Sequence, residues 1–181
     1  DAKVETTGNP VRAEIAAVSE PAIRYPSHTG PIRILVLGGS QGAVALNEMV
    51  PKALALIQSD VAFEVQHQAG GKNSDKAEAC YQQAGVAASV IPFIDDMAAA
   101  YGWADLVICR SGALTVCELA AVGVAALLIP YPYAVDDHQT ANGRYLSDAG
   151  AAILVQQQQI DEKALAALIR DQLSDREQLL S

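Results

Sequence analysis

The sequence predicts an α/β fold, a Rossmann-like, doubly wound parallel sheet of about six strands. From residue 32 onward, short runs rich in β-branched residues alternate with longer stretches of helical periodicity, which is the pattern of repeated βαβ units. Runs such as "LVIC" and "AALLI" are apolar throughout, as expected for strands whose two faces are both covered by helices. Several helical stretches also open on Ser or Asp, which are common helix N-caps.

The predicted elements follow in regular order along the chain. Strands are expected at residues 32–37, 62–68, 89–93, 106–109, 125–129 and 152–155. Helices are expected at residues 41–57, 74–84, 96–103, 113–122, 138–148 and 161–173. Residues 1–31 contain many turn formers and little periodicity, so they are predicted to be a linker. Because ligands of parallel sheets bind beyond the carboxyl ends of the strands, the loops at those ends are the candidate functional regions.

Length and composition restrict the class of protein. A chain of 181 residues, 51% hydrophobic and 18% charged, is typical of one globular domain. Its formal net charge of −9 does not favour binding to nucleic acid. The three cysteines, Cys80, Cys109 and Cys117, form no C-x-x-C pair, which suits a reducing cytosol. No apolar run approaches the ~20 residues that span a bilayer, so we expect a soluble chain and only peripheral membrane contact.

The first candidate loop is "GGSQGA", residues 38–43, between the first strand and the first helix. Glycines let a ligand approach the backbone, and the helix N-terminus favours an anion. Ser40 adds a hydroxyl donor, but it also replaces the second glycine of a G-x-G-x-x-G fingerprint, and the second strand ends without the carboxylate that a nicotinamide cofactor needs. The loop therefore predicts either an anion site or a tight turn without a ligand.

The second candidate loop is "CRSGALTVCE", residues 109–118, where Ser111 can cap a helix. Glu118 lies on the same side of that helix as Leu114 and Thr115. Its carboxylate could accept hydrogen bonds from two vicinal hydroxyls, such as those of a ribose. The alternative is a solvated glutamate near a helix start.

The third candidate loop, "PFIDDM", spans residues 92–97. Ile94 leaves the strand here, so its backbone is expected to be free to pair with the edge of a base. Asp95 and Asp96 are adjacent at a helix start, which favours capping over metal binding. No D-x-D occurs in the chain, so no metal or other cofactor is predicted.

The fourth candidate loop is "PYPYAVDDHQTANG", residues 130–143. Its carboxylates and amides suit sugar hydroxyls, which both donate and accept hydrogen bonds. His138 is not expected to be a general base, because the chain shows no nucleophile motif, no H-E-x-x-H and no paired carboxylates at separate strand ends. The sequence therefore predicts a sugar-binding loop without a catalytic residue.

Five motifs in this order, "TGNPVR", "GGSQGA", "FIDDM", "CRSGALTVCE" and "DDHQTANG", resemble the C-terminal half of the MurG family of bacterial peptidoglycan glycosyltransferases. The resemblance covers residues 7 to about 155. It implies the C-terminal, donor-binding domain of a two-domain GT-B fold at residues 32–181, with residues 1–31 as the interdomain connection. It also implies an inverting enzyme that transfers N-acetylglucosamine from UDP-N-acetylglucosamine to undecaprenyl-pyrophosphoryl-MurNAc-pentapeptide, converting lipid I to lipid II.

The resemblance also implies a site for UDP-N-acetylglucosamine. Arg12 and Ser40 would hold the phosphates, the Ile94 backbone would meet uracil, and Glu118 would bind the ribose hydroxyls. The full set of implied binding residues is Arg12, Gly39, Ser40, Gln41, Ile94, Ala113, Leu114, Thr115, Val116, Cys117, Glu118, His138 and Gln139.

The N-terminal domain of that family is absent from this sequence, and no catalytic residue is expected in this chain. The acceptor site and the contact with the cytoplasmic face of the inner membrane would lie in the absent domain. Two alternatives remain open: a UDP-sugar epimerase or another GT-B transferase half, and a non-catalytic donor-binding subunit that needs a partner chain.

Overall fold

A computed structural model of the chain describes residues 8–39, 42–173 and 179. Six parallel strands form one sheet in the order β3-β2-β1-β4-β5-β6. Their bounds are Ile32–Leu37 (β1), Phe63–Gln68 (β2), Ser89–Ile91 (β3), Leu106–Cys109 (β4), Ala125–Leu128 (β5) and Ala152–Leu154 (β6). The predicted α/β fold and its six strands are confirmed.

The helices cover both faces of this sheet. Their bounds are Ala13–Ala16 (α1), Pro21–Arg24 (α2), Val44–Ala55 (α3), Ser74–Ala84 (α4), Met97–Trp103 (α5), Ala113–Val122 (α6), His138–Ser147 (α7) and Glu162–Leu173 (α8). Short 3-10 turns lie at Tyr25–Ser27, Val135–Asp137 and Gln157–Gln159. Among the residues that the structure describes, no helix has the length and apolarity needed to cross a bilayer.

The strands are apolar throughout because each face meets its own core. In β1, Ile34 and Val36 pack with α3, α4 and α8 on one face of the sheet. Leu35 and Leu37 pack with α1, α5, α6 and α7 on the other face. All four side chains are buried, as the uninterrupted hydrophobic run predicts.

The predicted elements all occur, and most of their ends agree with the prediction, whereas nine of the 24 ends shift by one to three residues. Strands β3, β5 and β6 end before the last apolar residue of the predicted run, because Phe93, Ile129 and Val155 lie beyond the last ladder pair. Helix α3 begins at Val44 rather than at residue 41, since Ala43 has a non-helical backbone conformation. Helix α5 begins at Met97, with Asp96 as its N-cap.

The strand order creates a crevice between β1 and β4. The chain runs outward from β1 to β2 and β3, and then returns to the other side of β1 to form β4. The carboxyl ends of β1 and β4 align, with Leu37 paired to Cys109. In doubly wound sheets this switch point is where the loops diverge and leave room for a ligand.

The described part of the predicted linker is attached to the domain. The Ile15 side chain is fully buried against the core beside α5 and α6. The Tyr25 hydroxyl donates to the carbonyl of Asp105 over 2.7 Å. The sequence predicted little regular structure before residue 32, and the structure differs because α1 and α2, of four residues each, are too short to show periodicity.

Candidate functional site

A cleft of about 470 Å³ lies at the carboxyl ends of β1 and β4. Six of the residues implied by the family resemblance line it: Arg12, Gly39, Ile94, Thr115, Glu118 and Gln139. A larger cavity, of about 750 Å³, lies at the amino ends of β5 and β6. None of its described lining residues carries a charge, whereas the cleft combines charged, amide and hydroxyl groups, so the cleft is the candidate site.

The glycine turn closes one side of the cleft. Gly39 has a φ of +73°, and a Cβ atom placed there would meet nothing within 4 Å, so this backbone is open to a ligand. Gly42 has a φ of +76°, and a Cβ atom there would lie 2.3 Å from the carbonyl oxygen of Ala69. The turn therefore needs glycine at both positions, for access at Gly39 and for close packing at Gly42. Ser40 and Gln41, which the resemblance implied, lie outside the described residues.

The N-terminus of α6 forms a second side of the cleft. Its N-cap is Gly112, which makes no side-chain cap hydrogen bond. The prediction that Ser111 caps this helix is wrong. The Ser111 side chain is fully buried, and its hydroxyl has no hydrogen-bond partner among the described residues. Helix geometry leaves the first-turn N–H groups of α6 without intrahelical acceptors, so they remain available to an anion.

The six consecutive residues of α6 implied by the resemblance divide by helical geometry. Thr115 and Glu118 line the cleft. Val116 is buried in the core, and the Sγ atom of Cys117 lies 3.6 Å from the Asn9 side-chain nitrogen. Ala113 and Leu114 are exposed and do not line the cleft. Their backbone N–H groups belong to the first turn of α6 and have no intrahelical acceptors.

Glu118 is held by two groups from other elements. Its Oε1 atom lies 3.2 Å from Nη2 of Arg12, and its Oε2 atom accepts a hydrogen bond of 3.0 Å from the Tyr101 hydroxyl. The Glu118 side chain is only 15% exposed, so it is not the solvated glutamate that was the alternative. Burial raises the pKa of the Tyr101 phenol, so Tyr101 stays a neutral donor.

The Ile94 backbone is only half available. Its N–H donates to the Oε1 atom of Gln68 over 3.0 Å, so the expectation of a wholly free backbone is wrong. Gln68 is the last residue of β2. Its side chain is buried, reaches the neighbouring loop and lines the same cleft. No hydrogen bond to the Ile94 carbonyl is found within the described ranges, so this carbonyl remains as an acceptor.

The loop before α7 presents Gln139 to the cleft. The Gln139 Oε1 atom accepts from the Tyr131 N–H over 2.9 Å, which leaves its amide N–H groups as donors. His138 lies outside the cleft lining, and its Nδ1 atom is 2.7 Å from the carbonyl oxygen of Val135. Asp137 accepts a hydrogen bond from the Thr140 hydroxyl instead of facing the cleft.

The acidic pairs do not converge on one point. Asp96 caps α5 by accepting from the Ala99 N–H over 2.9 Å, so the capping prediction is confirmed for this residue. Within the described residues, no group of three or more His, Cys, Asp or Glu side chains is arranged to hold a metal ion. Burial raises the pKa of the Cys109 thiol to about 12, so this cysteine beside the cleft stays protonated.

Sequence reasoning missed Arg110, which lines the cleft directly after β4. Its guanidinium donates to the carbonyls of Ile129 and Pro130, each over 2.9 Å, and to Gln157 over 2.6 Å. It also lies 5.6 Å from the centre of the Tyr131 ring. Arg110 thus ties together the carboxyl ends of β4, β5 and β6. Its position immediately after a buried strand was the available signal.

A doubly wound parallel sheet with a glycine turn, an open helix N-terminus and an Arg–Glu pair at its switch point defines a nucleotide-binding type of α/β domain. The glycosyltransferase family 28 C-terminal domain matches residues 33–181, and the chain belongs to this family.

Similar proteins give the same assignment. A Burkholderia multivorans protein is 58% identical over 172 residues, and a Marinobacter nauticus protein is 54% identical over 175 residues. Both are named UDP-N-acetylglucosamine--N-acetylmuramyl-(pentapeptide) pyrophosphoryl-undecaprenol N-acetylglucosamine transferase. These matches cover 93% and 97% of this chain but 47% and 48% of the relatives, so the chain spans about half of their length.

Solved structures of glycosyltransferases are also similar to this chain. The crystal structure of Acinetobacter baumannii MurG superposes with a TM-score of 0.84 and 43% identity, covering 92% of this chain and 48% of that one. A kitacinnamycin glycotransferase gives a TM-score of 0.63 at 19% identity, covering 84% of this chain and 40% of that one, and it shows the fold alone.

Proposed function

We propose that this chain is the donor-binding half of an enzyme that transfers N-acetylglucosamine from UDP-N-acetylglucosamine to undecaprenyl-pyrophosphoryl-MurNAc-pentapeptide. The observation that carries the proposal is the cleft itself, which brings Arg12, Ile94, Glu118 and Gln139 together from four separate segments. The names of relatives up to 58% identical support the identity of donor and acceptor.

In the proposed complex each of these groups binds one part of the donor molecule. Arg12 and the open N-terminus of α6 would bind the diphosphate, because a guanidinium cation and free N–H groups both favour phosphate oxygens. The carbonyl of Ile94 would accept the N3–H of uracil. Glu118 would accept from the ribose hydroxyls, and the amide of Gln139 would donate to the sugar.

The same groups would act during transfer. When the bond between the sugar and the diphosphate breaks, negative charge grows on the departing UDP. Once the donor is bound, Arg12 and the α6 N–H groups would already contact the diphosphate, so they would stabilise that charge without reorganisation at the moment of reaction. The attacking hydroxyl and the base that takes its proton would come from outside this chain, since the one carboxylate that lines the described cleft, Glu118, is assigned to the ribose.

The remaining assignments concern the whole protein. We place the interdomain connection at residues 1–31, the donor domain at residues 32–181, and the acceptor site in the half of the relatives that this chain does not span. An undecaprenol-linked acceptor stays in a membrane whereas a nucleotide sugar is water-soluble. Transfer would therefore occur at the cytoplasmic face of the bacterial inner membrane, with the protein bound peripherally.

The experiment is a calorimetric titration of this chain with UDP-N-acetylglucosamine, and with GDP-mannose as the control ligand. We expect saturable binding of the first ligand only, and a loss of about 1 to 3 kcal/mol in the Glu118→Ala variant, the scale of a lost charge-assisted contact. We also expect no transfer to the lipid acceptor by this chain alone. Equal binding of both ligands, or unchanged affinity in the variant, would contradict the proposed site.

A further inference from the structure

Both oxygens of the Glu118 carboxylate already have a partner in this structure. Arg12 lies against Oε1 and the Tyr101 hydroxyl donates to Oε2. Each carboxylate oxygen offers about two acceptor positions, so one position on each oxygen remains. Two remaining acceptors match two vicinal hydroxyl groups, provided that the carboxylate is held in one orientation.

The two partners of Glu118 differ in how firmly they can hold it. The Arg12 side chain is 48% exposed, and in the proposed complex it turns to the diphosphate. Tyr101 is 1% exposed and packs in the core between α5 and the sheet. Its ring cannot move without disturbing that packing, whereas a half-exposed arginine can change rotamer freely.

We propose that Tyr101 is a positioning residue that fixes the Glu118 carboxylate for the two ribose hydroxyls, and that it thereby sets the preference for ribose over deoxyribose. This inference rests on the proposed function, in which Glu118 binds the ribose. When Arg12 engages the diphosphate, the hydrogen bond from Tyr101 keeps Oε2 in place. Tyr101 would act through Glu118, to which its hydroxyl donates.

The test uses Tyr101→Phe, which keeps the ring and removes only the hydroxyl. The ligands are UDP and 2′,3′-dideoxy-UDP, titrated into this chain by calorimetry. We expect UDP to bind about tenfold more weakly to the variant than to the wild type, the effect of one lost hydrogen bond to a charged group. We expect no change for the dideoxy ligand, which has no hydroxyls for Glu118 to bind.

Tyr25→Phe is the matched control. Tyr25 is also buried, and its hydroxyl also donates a hydrogen bond, to the carbonyl of Asp105 just before β4, at the amino ends of the strands and therefore opposite the cleft. Both variants should lose similar thermal stability, but only Tyr101→Phe should change the ratio of UDP to dideoxy-UDP affinity. This ratio separates a positioning role from a merely structural one.

Three outcomes would overturn the inference. Unchanged UDP affinity in Tyr101→Phe shows that Glu118 needs no such support, and an equal loss for both ligands shows a general structural role. In both cases wild-type binding of UDP leaves the proposed function standing. A wild-type chain that binds neither ligand rejects the proposed function and the inference together.

Discussion

The guanidinium of Arg12 lies 3.2 Å from the carboxylate of Glu118, although 106 positions separate the two residues in the chain. Arg12 is the N-cap of α1, and α1 packs on α6, which carries Glu118. The segment before the sheet thus supplies one wall of the cleft. In the proposed complex the incoming diphosphate competes with Glu118 for this cation.

Arg12→Ala should lower the affinity for UDP by about 1.5 to 3 kcal/mol, because it removes the side-chain cation assigned to the diphosphate. Arg170→Ala is the matched control. Arg170 is also 48% exposed and paired with a carboxylate, that of Asp60 at 3.4 Å, but it lies on α8 away from the cleft. Calorimetry of both variants should show a loss for Arg12→Ala only. A similar loss in both would mean that overall charge, not position, governs binding.

Gln68→Leu should weaken UDP binding and reduce the preference for UDP over CDP. Without the Gln68 amide, the Ile94 N–H loses its acceptor and the loop loses the contact that aims its carbonyl. That carbonyl suits the N3–H of uracil, whereas cytosine presents an acceptor at N3. Gln66→Leu, two residues earlier on β2, introduces the same side chain farther from the cleft and is the control. Competition titrations with UDP and CDP provide the measurement, and an unchanged ratio would contradict the assignment.

The sheet was predictable because strand identity depends on local hydrophobic runs, and "LVIC" and "AALLI" are unambiguous. The partners of the site residues were not predictable in the same way. The Ile94 N–H donates to Gln68, which lies 26 positions earlier in the chain, and Glu118 on α6 accepts from Tyr101 on α5. Serine favours the N-cap position through local hydrogen bonding, which made Ser111 the predicted cap. The burial of Ser111 depends on the tertiary fold, which local propensity does not describe.

Gly42→Ala should destabilise the fold more than Gly85→Ala does. Both glycines have positive φ, +76° and +68°, so both substitutions carry the cost of a left-handed backbone. A Cβ atom at Gly85 would meet nothing within 4 Å, whereas at Gly42 it would lie 2.3 Å from the Ala69 carbonyl oxygen. We expect an additional loss of roughly 1 to 3 kcal/mol in the free energy of unfolding, measured by urea denaturation. Equal losses would show that the turn relaxes without cost.

His67 should make the stability of this protein fall between about pH 6.5 and pH 4. Its ring is fully buried, with Tyr81 at Nδ1 over 2.9 Å and Asn47 at Nε2 over 3.0 Å. Burial lowers the pKa of His67 from 6.5 to about 4. The unfolded chain therefore binds a proton in this range that the folded chain does not, so stability rises with pH by up to a few kcal/mol.

The variant His67→Gln tests this pH dependence. Carboxylates also contribute to acid destabilisation, so the informative quantity is the difference between wild type and variant. The variant should lose less stability than the wild type between pH 7 and pH 4.5 in urea denaturation, even if it is less stable at pH 7. Parallel curves would mean that another group causes the slope.

The affinity for UDP should be nearly unchanged by excess EDTA. The prediction rests on the sequence, which contains no D-x-D, and on groups that can neutralise the diphosphate without a metal. Arg12 supplies a cation at the cleft, and the N-terminus of α6 supplies N–H groups without a side-chain cap. Two of the aspartates that could be considered as metal ligands have other partners. Asp96 caps α5, and Asp137 accepts a hydrogen bond from the Thr140 hydroxyl. UDP is titrated into the wild type with EDTA, without EDTA and with added Mg²⁺, and the three dissociation constants should agree. A tenfold loss on chelation, about 1.4 kcal/mol, would reveal a metal site that neither the loops nor the described carboxylates indicate.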